Sequence, residues 1–325
     1  SFSSTGVKTT STNCSGAPCK TVFVGANDGM LHVLDAETGQ ERFAFIPSQL
    51  IPKLASLSDT TYAHQYFVDG QMAIKTYGTQ SVLVGTLGGG GKGLYALDIT
   101  NPNPATETAA AANNILWEIS SNTTGFADLG NVYGKPVLTK AQDGTPMVVL
   151  GNGYNNTGSG YAALYKINAL TGEKIGTGIT TNSGSTTSPN GLSTPALLDT
   201  DLDGKADYAY AGDVDGNLWK FDLINNTATR LMTTDNNQAI TMAPAVMTHP
   251  NGGYMVVFVT GQLFTAADQR STATHYAYGV WDGAPSSNTS VLTQTLTEYT
   301  YGSGASAVRV RTATANSPDW TSGKD

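Results

Sequence analysis

Four aspartates alternate with other residues in the stretch DTDLDGKAD, which covers positions 199–207. They are Asp199, Asp201, Asp203 and Asp207, and Lys205 occupies the remaining odd position. Only 13% of the 325 residues are charged, so this is a marked local concentration of carboxylates. Close carboxylates repel one another by an energy on the order of a kcal/mol per pair near a protein surface. A bound cation would remove that repulsion.

The spacing favours calcium as the cation. Ca²⁺ takes about six to eight oxygen ligands, and the alternation with Gly204 at the sixth position matches the first half of an EF-hand loop. We predict the ligands Asp199, Asp201, Asp203, Lys205 and Asp207. Lys205 would coordinate through its backbone carbonyl while its ammonium points to solvent. Mg²⁺ is less favoured, because it wants few protein ligands in strict octahedral geometry.

The same loop recurs elsewhere in the chain without the extra carboxylates. It reads TKAQDGTPM and MTHPNGGYM, and each copy needs only its Asp-Gly or Asn-Gly turn to form a hairpin. An EF-hand would also need Glu at the twelfth position, where Tyr210 stands, and flanking helices. The stretch is therefore predicted to be a calcium loop within a β-hairpin, and an acidic surface turn is the alternative. Asp213 and Asp215 are more readily explained as shaping the next hairpin than as outer ligands.

The aspartates belong to one of five similar segments, each an apolar strand ending in glycine, a polar turn and an alternating strand. The segments are Val22–Gln40, Val82–Thr100, Met147–Glu173, Asp207–Leu223 and Met255–Gly283. A further strand is predicted before three of them, in KPVLTK, TPALLD and APAVMT. About four antiparallel strands per repeat predict an all-β fold, a β-propeller of four-stranded blades. The stretch PSQLIPKLASL is predicted to form a short helical insertion, with Leu50, Ile51, Leu54 and Leu57 on one face.

Composition excludes several functions. The net charge of −8 and the pI near 4.9 argue against nucleic-acid binding, which requires clustered Lys and Arg. No apolar run approaches the length of a membrane span, so no direct membrane insertion is expected. The run GGGGKG lacks the first glycine and the Ser or Thr of a phosphate-binding loop, since Thr86 and Gly93 stand there. A flexible hairpin loop is expected instead.

The start of the chain reads as an internal part of a larger secreted protein. Cys14 and Cys19 could close the loop CSGAPC as a disulfide in an oxidising compartment, or remain two free thiols. We expect residues 1–20 to be a leader and residues 21–325 to be the propeller domain.

Three stretches resemble the C-terminal domain of the PilC/PilY-type proteins of bacterial type IV pili. They are YAHQYFVDG, VLVGTLGGGGKGLYALDIT and LLDTDLDGKADYAYAGDVDGNLWKFDL, and the resemblance extends from about Val22 to Trp320. It implies a modified β-propeller related to quinoprotein propellers, with the calcium loop on the five residues named above. Since the chain stops at SGKD, the last blade is expected to be incomplete.

The resemblance also implies a function. Such proteins pass the periplasm and outer membrane of a Gram-negative bacterium and act at the pilus tip, in pilus assembly, in the balance of extension and retraction, and in adhesion and twitching motility. Pilin or minor pilins, and a host-cell surface ligand, are the implied partners. The chain contains no Arg-Gly-Asp, which weakens an integrin-binding interpretation.

Two alternatives stay open. A quinoprotein-like enzyme is disfavoured, because its calcium would lie among several blades, whereas all the predicted ligands belong to one hairpin. The histidines also lack metal or triad spacing; they are His32, His64, His249 and His275. The other alternative is an adhesin or glycan-binding head with a structural calcium, in which Trp219, Trp281 and Tyr276 would stack on sugars. The sequence favours a non-enzymatic, calcium-binding pilus module.

Overall fold

Antiparallel sheets follow one another along the chain in the computed structural model, which describes residues 6–14, 17–104, 106–283 and 293–317. In each sheet the strands are neighbours in chain order. The first sheet contains β1 (Gly6–Cys14), β2 (Ala17–Gly25), β3 (Leu31–Asp35) and β4 (Glu41–Phe45). The second contains β5 (Met72–Tyr77), β6 (Gln80–Thr86), β7 (Gly93–Asp98) and β8 (Ile115–Ser120). The third contains β9 (Val137–Lys140), β10 (Pro146–Gly151), β11 (Tyr161–Asn168) and β12 (Ile179–Gly184).

The remaining strands complete the repeat. The fourth sheet contains β13 (Ala196–Leu198), β14 (Tyr208–Gly212), β15 (Asn217–Asp222) and β16 (Thr227–Thr233). Three strands of the fifth sheet are described: β17 (Ala245–Thr248), β18 (Tyr254–Val259) and β19 (Ala277–Trp281). A hairpin of β20 (Leu296–Tyr301) and β21 (Val308–Ala313) follows. The predicted all-β architecture of four-stranded units is confirmed, including the strands expected before the last three segments.

Helices play a small part in the fold. The α-helix α1 (Glu107–Asn114) begins after Thr106, whose hydroxyl oxygen accepts a bond from the amide of Ala109 at 3.1 Å. Within the described residues, 3₁₀ helices occur at Ser48–Ser58, Gly88–Gly90, Asp235–Asn237, Asp268–Arg270 and Gly304–Ser306. In the described part of the chain, no helix has both the length and the apolar character needed to cross a bilayer.

Alternating side chains bury both faces of the inner strands. In β6, Val82 and Val84 belong to one apolar cluster with Val148 of the third sheet, whereas Leu83 belongs to another with Phe23 of the first sheet. Successive residues of a strand point to opposite faces, so one apolar run can serve two interfaces. Similar apolar clusters join the third sheet to the fourth and the fourth to the fifth. The sheets therefore pack face against face in series, as propeller blades do.

Three details differ from the sequence expectations. Strand β1 lies within the residues 1–20 that we assigned to a leader, and it pairs with β2. The helical insertion is a 3₁₀ helix that buries Leu50 but leaves Ile51 57% exposed, because a 3₁₀ helix does not gather the same residues on one face. The glycine run is packed, since a Cβ on Gly90 would lie 1.6 Å from the carbonyl oxygen of Phe67. The side chains of Cys14 and Cys19 lie outside the described part.

Candidate metal centre

The aspartate loop connects β13 to β14 at one end of the fourth sheet. The amide of Asp207 donates to the carbonyl of Leu198 at 2.9 Å and closes the hairpin. Within the loop, Leu202 and Gly204 adopt left-handed backbone conformations, with φ of 61° and 85°. This conformation is uncommon for leucine, whose side chain is here 86% exposed. The two bends fold the loop back on itself and bring its alternating side chains together.

Three of the four aspartates converge. Carboxylate oxygens of Asp199, Asp201 and Asp207 lie within 4.8 Å of one another. Their surroundings differ, because Asp207 is buried, Asp199 is half-buried and Asp201 is exposed. A donor set made only of carboxylate oxygens suits a hard divalent cation, and calcium tolerates the irregular geometry of such a loop. The residues present therefore fit the predicted ion.

The carboxylates of Asp199 and Asp201 also hold the backbone of the loop. The amide of Asp203 lies 3.2 Å from Asp199 Oδ1 and 3.2 Å from Asp201 Oδ1. The amide of Gly204 donates to Asp199 Oδ2 at 2.8 Å. These bonds hold the two side chains against the backbone of the loop.

The structure does not place Asp203 in the convergent group, and it corrects the expectation for Lys205. The ammonium of Lys205 does not simply point to solvent but lies 2.7 Å from Asp203 Oδ2. The amide of Lys205 also donates to Asp203 Oδ1 at 2.9 Å. The Lys205 ammonium and amide lower the pKa of Asp203, and Asp203 raises the pKa of Lys205. The side chains of Lys205 and Asp203 therefore form an ion pair.

Asp207 is the anchor of the group, and its partners were not predicted. Its Oδ2 accepts bonds from both the amide and the hydroxyl of Thr200. Its Oδ1 accepts a bond at 3.0 Å from Nε2 of Gln142, in the β9–β10 turn of the third sheet. Thr200 lies inside the aspartate stretch, so the sequence alone could have identified it as a neighbour of Asp207. Gln142 could not be found that way, because no local pattern connects positions 142 and 207.

The other residues weighed from the sequence have structural partners. Asp213 is fully buried and accepts bonds from the side chains of Asn190, Asn217 and Trp219. It does not belong to the convergent group, and it ties Trp219 into the fourth sheet. Trp281 stacks on the ring of His249 at 4.5 Å between centroids.

Comparison with known proteins shows that the chain is similar to PilY1 proteins. The family model of the PilY1 beta-propeller domain matches residues 2–232 and 227–303. The type IV pilus biogenesis factor PilY1 of Pseudomonas aeruginosa is 38% identical over 92% of this chain. A PilY1 homolog of Xylella fastidiosa is 36% identical over 81% of the chain.

A solved structure is also similar. The crystal structure of the Pseudomonas aeruginosa PilY1 C-terminal domain superimposes with a TM-score of 0.73 at 37% identity, over 95% of this chain and 69% of that one. The chain spans only 29% of the length of the Pseudomonas relative and 19% of the Xylella relative. These matches concern one domain of much longer proteins.

Proposed function

The chain belongs to the PilY1 β-propeller family, and from that membership we propose that it is a calcium-binding domain of a protein at the pilus tip. In this proposal the domain supports pilus biogenesis and influences the balance between extension and retraction. The observation that carries the calcium part is the convergence of Asp199, Asp201 and Asp207. The pilus part is supported by the relatives, which are named type IV pilus biogenesis factors.

Electrostatics explains why this loop would take an ion. Four carboxylates and one ammonium give the loop a formal charge of −3. Asp207 is fixed by the side chains of Thr200 and Gln142, and Asp203 is paired with the ammonium of Lys205. A divalent cation would offset the charge and draw Asp199 and Asp201 onto the position that Asp207 already defines. Asp203 and the carbonyl of Lys205 complete the proposed set once the ammonium of Lys205 leaves.

The expected affinity suits an extracellular site. The loop lacks the bidentate glutamate that closes an EF-hand, and two of its carboxylates are exposed. Extracellular calcium modules with comparable sites have dissociation constants of about 10⁻⁴–10⁻³ M. A site in that range would be filled outside the cell and would respond to changes in external calcium.

We propose that the ordered loop holds a surface that contacts pilin or a minor pilin. The test is a strain whose only copy of the protein carries Asp203→Ala, compared with a strain carrying Asp143→Ala. Asp143 is a matched control, because the two aspartates have the same local structure. In each case Oδ1 accepts a bond at 2.9 Å from the amide of the second residue after the aspartate, and the next residue is glycine. Reduced surface pili and twitching only in the Asp203→Ala strain would support the proposal. Normal pili and motility in both strains, with the protein present at equal amounts, would contradict it.

A glycan-binding role has less support. Trp219 is 7% exposed and its indole nitrogen donates to Asp213 at 2.7 Å, so its ring is part of the sheet interior. The ring of Trp281 is stacked on the ring of His249. We propose no enzymatic activity, because the candidate ligands all belong to a single hairpin and the relatives are named as biogenesis factors.

A further inference from the structure

The aspartate loop is not a purely local feature of the fourth sheet. Gln142 reaches it from the third sheet, where it occupies the turn between β9 and β10. Its Nε2 lies 3.0 Å from Asp207 Oδ1 and 3.4 Å from the carbonyl oxygen of Ala206. The group that could hold a metal is therefore tied to two blades.

We propose that Gln142 is a positioning residue for the calcium site and that it links calcium occupancy to the contact between the third and fourth sheets. The inference rests on the calcium site proposed above. It concerns a residue outside the aspartate stretch, in a neighbouring blade.

The hydrogen bonds of Asp207 indicate which of its oxygens would meet the ion. A carboxylate oxygen has about two lone-pair sites. Oδ2 accepts two bonds from Thr200, one from the amide and one from the hydroxyl, so both sites are used. Oδ1 accepts the single bond from Gln142 and keeps one site for a metal. Gln142 thus holds the oxygen that is free to bind the ion, and it fixes the direction of the remaining lone pair.

The backbone at Asp207 is secured from the third sheet as well. The amide of Leu223 donates to the carbonyl of Asp207 at 2.9 Å. The carbonyl of Leu223 in turn accepts a bond at 2.9 Å from the ammonium of Lys166, a buried residue of β11. Next to these bonds, Ala206 packs in the apolar cluster between the two sheets. The contacts of the third sheet therefore help to hold the ligand oxygen in place.

The consequence is reciprocal. If the blade contact orients Asp207 for calcium, then bound calcium stabilises the blade contact by the same free energy. Residues that orient a metal ligand typically change metal affinity by about 10-fold to 100-fold when they are replaced. Because Gln142 is exposed, we expect the lower end of that range.

The variant that tests this is Gln142→Met, which keeps the length of the side chain and removes its donor. Gln80→Met is the matched control, because Gln80 also donates to an aspartate, Asp98 Oδ2 at 2.7 Å, but in the second sheet. Calorimetric calcium titration of the whole chain should show roughly tenfold weaker binding for Gln142→Met and unchanged binding for Gln80→Met. Equal affinity in Gln142→Met and the unmodified chain would overturn the inference.

A second readout separates positioning from a general loss of stability. Calcium should slow amide hydrogen exchange at residues 141–145 of the unmodified chain, and this effect should be absent in Gln142→Met. Exchange at residues 76–80 should not respond in either protein. If the unmodified chain binds calcium but residues 141–145 do not respond, the link between the blades is wrong while the calcium site stands. If it binds no calcium at all, the proposed function fails and this inference fails with it.

Discussion

The ammonium nitrogen of Lys205 lies 2.7 Å from Asp203 Oδ2, inside the loop that we propose binds calcium. An intramolecular cation thus occupies one of the predicted ligands. For Asp203 to bind calcium, the lysine side chain must turn away, because two cations would otherwise share one carboxylate. The lysine therefore competes with the ion, while its backbone carbonyl remains available as a ligand.

This competition predicts that Lys205→Met binds calcium more tightly than the unmodified chain. We expect a gain of a few-fold, because the substitution removes a positive charge beside the site and leaves the backbone carbonyl in place. Salt screens charges near a surface, so the gain should shrink as ionic strength rises. Titration calorimetry at low and at physiological salt measures both effects.

Lys20→Met is the control for the change in net charge, because Lys20 pairs with Glu37 in the first sheet at 3.3 Å. It should leave calcium affinity unchanged. Weaker binding by Lys205→Met would show that the ammonium does not compete with the ion.

Asp207 is expected to matter for folding even without calcium. Its carboxylate accepts bonds from Thr200 and Gln142, and it is only 7% exposed. Asp207→Ala leaves those donors without their partner, which should lower the free energy of unfolding by about 1–3 kcal/mol. Asp201→Ala removes an exposed side chain whose Oδ1 lies 3.2 Å from the amide of Asp203. It should change the free energy of unfolding by no more than about 0.5 kcal/mol.

Urea unfolding in the presence of a chelator measures the two effects. Equal losses in the two variants would contradict the distinction between a buried anchor and an exposed ligand.

A pH dependence is expected at His32 in the first sheet. Its Nδ1 lies 2.5 Å from Glu41 Oε2 and its Nε2 lies 2.8 Å from Asp28 Oδ2. Partial burial opposes protonation, but the two carboxylates outweigh it, and they raise the pKa of His32 above 6.5. Protonated His32 therefore stabilises the folded chain fully below pH 6.5, and this stabilisation is lost as the pH rises through the raised pKa.

The measurement is the unfolding free energy of the unmodified chain and of His32→Gln at pH 5.5 and pH 8.5. The difference between the two proteins should be larger at pH 5.5. A difference that is larger at pH 8.5 would show that His32 is stabilising in its neutral form.

The sequence predicted the features of this fold that depend on neighbouring residues. A continuous apolar run such as Val82, Leu83 and Val84 is typical of a strand buried on both faces. Gly29 and Gly216, with φ of 99° and 83°, lie in two of the polar turns predicted between the paired strands. The alternating aspartates also identified the loop, because there are more of them than the related hairpins need to form their turns. These signals lie within a few residues of one another, and so they are readable without tertiary structure.

The remaining features depend on contacts between distant residues or on competition between partners. The bond from Gln142 to Asp207 joins positions 65 apart and exists only because the third sheet packs on the fourth. The pairing of Lys205 with Asp203 depends on the side-chain conformation of the lysine, which the spacing of the residues does not determine. The apolar pattern of the Ser48–Ser58 segment likewise did not reveal its 3₁₀ form, in which Leu50 is buried and Ile51 is exposed.

The most direct test of the central claim is a calorimetric Ca²⁺ titration of the chelator-stripped chain, with Asp203→Ala, Asp143→Ala and a Mg²⁺ titration beside it. We predict saturable binding of one Ca²⁺ with a dissociation constant of about 10⁻⁴–10⁻³ M, retained in Asp143→Ala, lost in Asp203→Ala and not reproduced by Mg²⁺. Absence of binding to the unmodified chain at millimolar Ca²⁺ would contradict the assignment of the loop as a calcium site, and unchanged binding in Asp203→Ala would contradict the assignment of Asp203 as a ligand.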